Sequence, residues 1–352
     1  FVFYWDKTLG TSARAKNLIE LSDAAPTKSR KVIVSERDRH VICFGANPLG
    51  SDTQDRLLVR FSSQENPFFW TPSATNTAGD LQVPTGGRVI GAVKWKTDVM
   101  IFTDTGIAKM FYAGNPFVYG IQDAGTNCKA ISTRSIATSG DFLSWVGENA
   151  IFLFDGRVQE IPCDVHDYVY DQLNVPGRKA CWGGHNSNFN EIWWGFPSGD
   201  GQYTPNKYVI WNYGENVWSI GELDRGCWVD QGVFDFPTSA DNAGFIYQHE
   251  STLLGNSPNL GDAVPYATSG PIEIGNGDNY VQCNQILPDE EANTLPGVTL
   301  SFKGRFTPLG PETDFGSFTF ETDGYTDARF TARQVSLTVT GSTTQDFQVG
   351  KI

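Results

Sequence analysis

The stretch 88–123 constrains the fold most, because it reads as four short strands in immediate succession. Residues 88–95, 99–103, 107–112 and 117–123 are rich in Val, Ile, Phe and Tyr. Lys96-Thr97-Asp98, Asp104-Thr105-Gly106 and Ala113-Gly114-Asn115-Pro116 separate them. Branched and aromatic side chains favour extended backbone, while Gly, Pro and Asp favour turns, so the pattern predicts an antiparallel meander. One sheet of this size cannot cover both its faces, and it needs neighbours of its own kind.

The chain supplies them. A comparable leading strand begins near Val32, Val89, Ile136, Ala180 and Trp228, at spacings of about 57, 47, 44 and 48 residues. Four strands per unit with a period in the forties is the grammar of propeller blades. The expected fold is all-β, with a β-propeller of four-stranded antiparallel blades over residues 1–269. About five blades are visible, and one is completed by a missing N-terminal part. A longer region is expected before Phe1, since Phe1-Val2-Phe3-Tyr4-Trp5 opens in mid-strand. Composition shifts at Ser269-Gly270-Pro271, and the segments 272–274, 280–288, 298–305, 317–322, 328–332 and 334–340 predict a small C-terminal β-sandwich over 270–352.

The first unit reads as strands 31–35, 39–45, 56–62 and 68–71, followed by a linker over 72–87. The third reads as 135–138, 142–146, 151–154 and 158–161. The fourth, 179–185, 190–196, 207–212 and 216–222, carries Trp182, Trp193, Trp194, Trp211 and Trp218. The fifth, 227–268, is looser. One helix is expected over 165–174, with Val165, Val169 and Leu173 on one stripe, Asp164 as N-cap and Pro176-Gly177 as the stop.

Composition narrows the function. With 40 acidic against 26 basic residues the net charge is −14 and the pI about 4.7. A broad basic surface for nucleic acid is therefore absent. Apolar runs fall far short of the ~18 residues of a membrane span. The six cysteines are scattered without a C-x-x-C pair and predict free, mostly buried thiols. His40, His166, His185 and His249 have no metal-ligand spacing and read as surface or capping residues. No metal, cofactor or catalytic set is expected. Glu191 beside Trp193, and Asp230 with Asp235, are the best carboxylates for glycosidase chemistry, and the tryptophans offer a sugar-binding alternative. One basic cluster, Lys28, Arg30, Lys31, Arg37 and Arg39, stands against the acidic background. It reads as a solvated edge, or as a contact for an acidic partner or a phosphate.

Several blocks carry a resemblance. Arg60-Phe61-Ser62-Ser63-Gln64-Glu65-Asn66-Pro67 with Trp70-Thr71-Pro72, Thr77-Ala78-Gly79-Asp80, Phe154 through Gln159, Pro162 through Val169, Phe189 through Trp194, Tyr213 through Gly221 and Ile272 through Asp278 resemble the nozzle or tail-hub proteins of tailed phages, also called packaged-DNA stabilisation proteins. The resemblance spans most of the chain and implies a non-enzymatic virion component. It would form a six-fold ring continuing the DNA channel below the portal adaptor, retain the packaged DNA and anchor tail fibres or spikes. Viral DNA would pass without sequence-specific binding, along a lumen expected to be acidic. Contact surfaces are then expected on the loop 46–55 (Asn47, Leu49, Asp52), the helix (His166, Tyr168, Tyr170), the loop 255–263 (Asn256, Leu260) and the basic cluster. The alternative is a carbohydrate-binding propeller, lectin-like or hydrolytic.

Overall fold

A computed structural model describes residues 2–22, 24–114, 116–250, 264–275, 279–287, 290–292, 298–319, 325–341 and 347–349. Among the described residues the chain is all-β apart from short helical turns and one helix, and it divides into two compact units, Phe1–His249 and Glu250–Ile352.

In the first unit four meanders follow one another. The first sheet comprises Lys31–Val34, Val41–Phe44, Leu58–Phe61 and Gly79–Gln82; the second Val89–Trp95, Asp98–Thr103, Gly106–Tyr112 and Tyr119–Thr126. The third comprises Ile136–Thr138, Leu143–Val146, Ile151–Phe154 and Val158–Glu160; the fourth Trp182–Asn186, Glu191–Phe196, Lys207–Asn212 and Val217–Glu222. A fifth sheet has three strands, Cys227–Val229, Thr238–Ala240 and Ile246–Gln248.

The period of two along each strand explains how they stack. In the second sheet, Ile101, Ala108 and Met110 join a core with Ile42, Phe44 and Phe61 of the first. The alternate residues Met100, Phe102 and Ile107 join one with Leu143, Trp145 and Phe154 of the third. Val146 and Ile151 of the third then meet Ile192, Trp194 and Val209 of the fourth. Each central sheet is therefore buried on both faces. The leading strands also touch: the first sheet's meets the second's, and the fourth's meets those of the third and fifth. Among the described residues no core joins the fifth sheet to the first.

Two glycines set close approaches. A Cβ on Gly184 would lie 2.3 Å from Cδ1 of Trp228, so its absence lets that indole lie against the fourth sheet. A Cβ on Gly79 would lie 2.7 Å from the Phe61 ring. That contact corrects the sequence reading, which ended the first sheet at 68–71. The pairing strand is Gly79–Gln82, inside the expected linker. Trp70 instead fills a fully buried slot beside Leu18, Ala25 and Cys43, where its Nε1 donates to the Pro67 carbonyl at 2.7 Å. An indole that plugs a core mimics the apolar signature of a strand.

The helix is shorter than expected, His166–Gln172, and begins at Val165 with no side-chain cap; Asp164 does not serve. Its stripe holds as read: Val165, Val169 and Leu173 pack on the core of the third and fourth sheets.

In the second unit, Gln334–Thr340 pairs with Tyr266–Thr268, Ile272–Glu273 and Thr299–Arg305, and Thr313–Thr319 extends the sheet. Val281–Ile286 pairs with Thr326–Ala332, and Glu290–Ala292 with Phe347–Val349. Thr326–Ala332 alternates buried and exposed along its whole length, and Ala328, Phe330 and Ala332 share a core with Leu300, Phe302 and Val335. The division falls earlier than residue 270 because Tyr266–Thr268 pairs within this unit.

Candidate functional site

The densest set of polar side chains lies where the turn 187–190 of the fourth sheet meets the segment after Cys227–Val229. Asn190 holds a positive φ of 56°, a conformation Asn tolerates, and this turns the chain back into Glu191–Phe196. Asn186 and Ser187, consecutive at the end of the leading strand, each hold a carboxylate. Asn186 donates to Glu191 Oε2 at 3.2 Å, and Ser187 donates to Asp230 Oδ1 through its backbone N–H (3.3 Å) and its hydroxyl (3.2 Å).

Glu191 also accepts from Trp193 Nε1 at 2.8 Å. Burial raises its pKa and outweighs these two donors, which favour the anion. Asp230 accepts further from the Gln231 N–H (2.8 Å) and faces His185 Nδ1 at 3.1 Å. His185 Nε2 lies 3.0 Å from Tyr213 Oη, which is 3.2 Å from Asn190 Oδ1; the single phenolic proton serves one of these at a time. Burial lowers the His185 pKa despite Asp230, so the ring is neutral at pH 7: its Nδ1–H donates to Asp230 and its Nε2 accepts from Tyr213. The result is a carboxylate–imidazole–phenol chain reaching the surface.

Around its outer end, Asn188 and Gln231 exchange hydrogen bonds of 2.9 and 2.6 Å, and Phe189 is half exposed. The tryptophans are less available. Trp193 stacks between Tyr208 (4.9 Å) and Trp228 (5.0 Å), and Trp228 is buried, so neither presents a free face. Sequence reasoning selected Glu191 and Asp230 and missed His185, Tyr213 and the amides; Asp230 and Gln231 join the others only where the fourth and fifth sheets pack. Asp235 is exposed and lies outside the network.

The other nominated residues are dispersed. Lys28 Nζ donates to the Asp52 carbonyl at 2.6 Å, Arg37 pairs with Asp38 at 3.6 Å, Arg39 pairs with Glu65, and Lys31 is exposed. Asn47 is buried: its Oδ1 accepts from the Lys28 N–H and its Nδ2 donates to the Ser51 carbonyl, folding the loop 46–55 on itself. Leu49 and Asp52 are exposed. On the helix, His166 Nε2 meets the Asn149 carbonyl (2.8 Å), Tyr168 accepts from Lys207 (3.3 Å) and Tyr170 donates to the Gly147 carbonyl (3.2 Å). Asn256 and Leu260 lie outside the described residues. His40 is no surface residue: it is fully buried, with Nδ1 2.8 Å from the Ser62 carbonyl and its ring edge-on to Phe61 and Tyr119.

The block resembling the phage family proves to be packing. The guanidinium of Arg60, buried at 3% exposure, donates to the carbonyls of Asn47 (3.2 Å) and Ala24 (2.7 Å). The cysteines are free. Burial pushes the thiols of Cys43 and Cys181 up to about 12 and those of Cys128 and Cys163 up to about 11, which keeps them protonated. Among the described residues no group of three or more His, Cys, Asp or Glu could hold a metal, and no helix is long and apolar enough to cross a membrane.

No family model and no curated protein matches the chain. Among solved structures it is similar to the extracellular domain of a one-component system protein from B. thetaiotaomicron, at 13% identity and a TM-score of 0.31. That likeness covers 62% of this chain and spans 27% of that one. It is also similar to an exo-β-1,3-galactanase from Phanerochaete chrysosporium with β-1,3-galactotriose, at 9% identity and a TM-score of 0.32, covering 93% of this chain and 97% of that one. One is a glycosidase and the other an extracellular domain; neither is a virion component, and the tail-nozzle function expected from the sequence is not carried further.

Proposed function

We propose that the chain is a carbohydrate-binding protein whose N-terminal unit is a β-propeller, open between its fifth and first sheets, and whose C-terminal unit is a β-sandwich. The propeller reading is supported by contacts between the leading strands of the first and second, third and fourth, and fourth and fifth sheets, and by sheets buried on both faces. The binding reading rests on the surface end of the His185–Tyr213 chain. There Asn188, Asn190 and Gln231 offer amide donors and acceptors beside the half-exposed ring of Phe189. Neighbouring hydroxyls on a pyranose call for both roles at one spot, and the ring's apolar face calls for an aromatic neighbour.

Binding without hydrolysis is the favoured form. Asp230 already takes four donors, from Ser187 (two), Gln231 and His185, which makes it a poor nucleophile or base. A hydrolytic reading draws on Glu191, whose raised pKa suits a general acid.

A glycan array followed by calorimetry tests the proposal. Saturable binding lost in Phe189→Ala with Asn188→Ala supports it, and no binding to any glycan class sinks it. Release of sugar from a bound glycan, abolished in Glu191→Gln, would move the assignment to the hydrolytic form.

A further inference from the structure

A concavity of about 400 Å³ in the first unit has a wall unlike the rest of the protein. Six of its lining residues are cationic (Arg30, Arg56, Arg88, Lys129, Arg178 and Lys179) and none is acidic. In a chain of net charge −14, chance placement would bring acids into such a wall. The topology explains the gathering. Arg30 precedes the leading strand of the first sheet, Arg88 that of the second, Lys129 that of the third, and Arg178 and Lys179 that of the fourth. The leading strands of the first and second sheets touch, as do those of the third and fourth, and residues far apart in sequence converge on one concavity.

The acids that do pair with these cations are not among the residues lining the concavity. Glu148 accepts from Lys129 at 2.7 Å and meets Arg178 at 3.3 Å, and its pKa is lowered, first by the Lys129 bond. Asp104 meets Arg88 at 3.9 Å and accepts from the backbone N–H of Gly87 and Arg88 at 2.8 and 3.3 Å. These contacts partner three of the six cations. Arg30, Arg56 and Lys179 make no ion pair among the described residues. Like charges held around a small space repel, and the arrangement is relieved by an anion that neutralises several at once.

We propose that this concavity is a binding site for a small molecule carrying two or three linked phosphates. Four of the six cations are arginines, whose planar forks grip phosphate oxygens in pairs, and the lysines add point charges. The volume lies at the low end for small-molecule sites, which suits a compact ligand. The half-buried Ile90 also lines it, giving an apolar contact for an organic group joined to the phosphates. The site is independent of the sugar-binding proposal: it uses none of those residues.

The test is calorimetric titration of the full chain with tripolyphosphate and, separately, with adenosine triphosphate. Tripolyphosphate should bind saturably and weaken steeply with salt. Tighter binding of the nucleotide would assign the apolar contact to an organic group; equal binding would assign the site to inorganic polyphosphate. The double variant Arg56→Ala/Lys179→Ala should weaken tripolyphosphate at least tenfold, and the single variant Arg30→Gln about threefold. A control with the same loss of charge at exposed positions elsewhere, Lys16→Ala/Arg157→Ala, should bind like the parent. No saturable binding at millimolar tripolyphosphate and low salt overturns the proposal, and so does equal weakening in the control.

Discussion

The two polar regions of the first unit are built on opposite terms. Where the fourth and fifth sheets meet, nearly every polar atom has a partner within the protein: Asp230 takes four donors, and His185 is held at both nitrogens. At the cationic concavity, Arg30, Arg56 and Lys179 have no acidic partner among the described residues and the wall carries no acid. A partnered network adds to stability because each member would cost more unpaired than it gains from water. An unpartnered set adds nothing to the fold and is free to act on something else. Removing residues from the two regions should therefore have unequal consequences.

The largest expected effect is Asp230→Ala. It strands the His185 Nδ1–H, two backbone donors and a hydroxyl at a half-buried site, at a cost of about 2–3 kcal/mol read by urea unfolding. A cost below about 0.5 kcal/mol, the level of an ordinary surface change, would erase the contrast.

Acid should attack the partnered side next. Burial lowers the pKa of His40, His185 and His249, the last to about 4, with the Arg225 charge adding to burial there. Between the unfolded value near 6.5 and these lower folded values, the unfolded chain takes protons that the folded one refuses. Stability is thus full above about pH 6.5 and falls as the pH drops towards 4. His249 alone should account for about 2 kcal/mol of that loss after allowance for its partial exposure. His249→Gln should flatten the slope of urea midpoint against pH; an unchanged slope would remove this histidine from the account.

A smaller and opposite effect belongs to Glu191. Its pKa is raised by burial, so the charged form is the disfavoured one at pH 7. Both donors, Trp193 and Asn186, point at the same oxygen, Oε2. A glutamine carbonyl can accept both, and Glu191→Gln should stabilise the protein by about 0.5 kcal/mol at pH 7, with the gain vanishing near pH 4. The smallest change in folding stability is expected at the concavity: Arg56→Ala or Lys179→Ala should move it by less than about 0.5 kcal/mol. A loss of ~2 kcal/mol from either would make that wall structural.

Much of this was readable in the sequence. The meander over 88–123, the all-β class and the apolar stripe of the helix follow from periodicities of two and of three to four residues, which are local. What escaped was the use of residues across sheets. Phe68-Phe69-Trp70 looks like a strand because it is apolar, yet Trp70 is a plug and the strand lies at Gly79–Gln82, where Gly79 yields space to a ring. The basic cluster at 28–39 was visible as a run of charge, but only Arg30 of it reaches the concavity. The informative signal was positional: of the concavity's cations, Arg30, Arg88 and Lys179 each stand within three residues before a leading strand. Counting along the repeat rather than along the chain would have revealed it. Glu191 and Asp230 were picked out as acids, whereas the imidazole and phenol that join Asp230 could not be, since no local spacing links residues 185, 213 and 230.

The pile of indoles between the fourth and fifth sheets has an optical consequence. Trp228 lies nearly parallel to Trp182 at 6.1 Å and to Trp193 at 5.0 Å. Chromophores that close and that aligned share their excited states, so the near-ultraviolet circular dichroism should carry a coupled signal. That signal would report directly on whether the last sheet is seated, without any label.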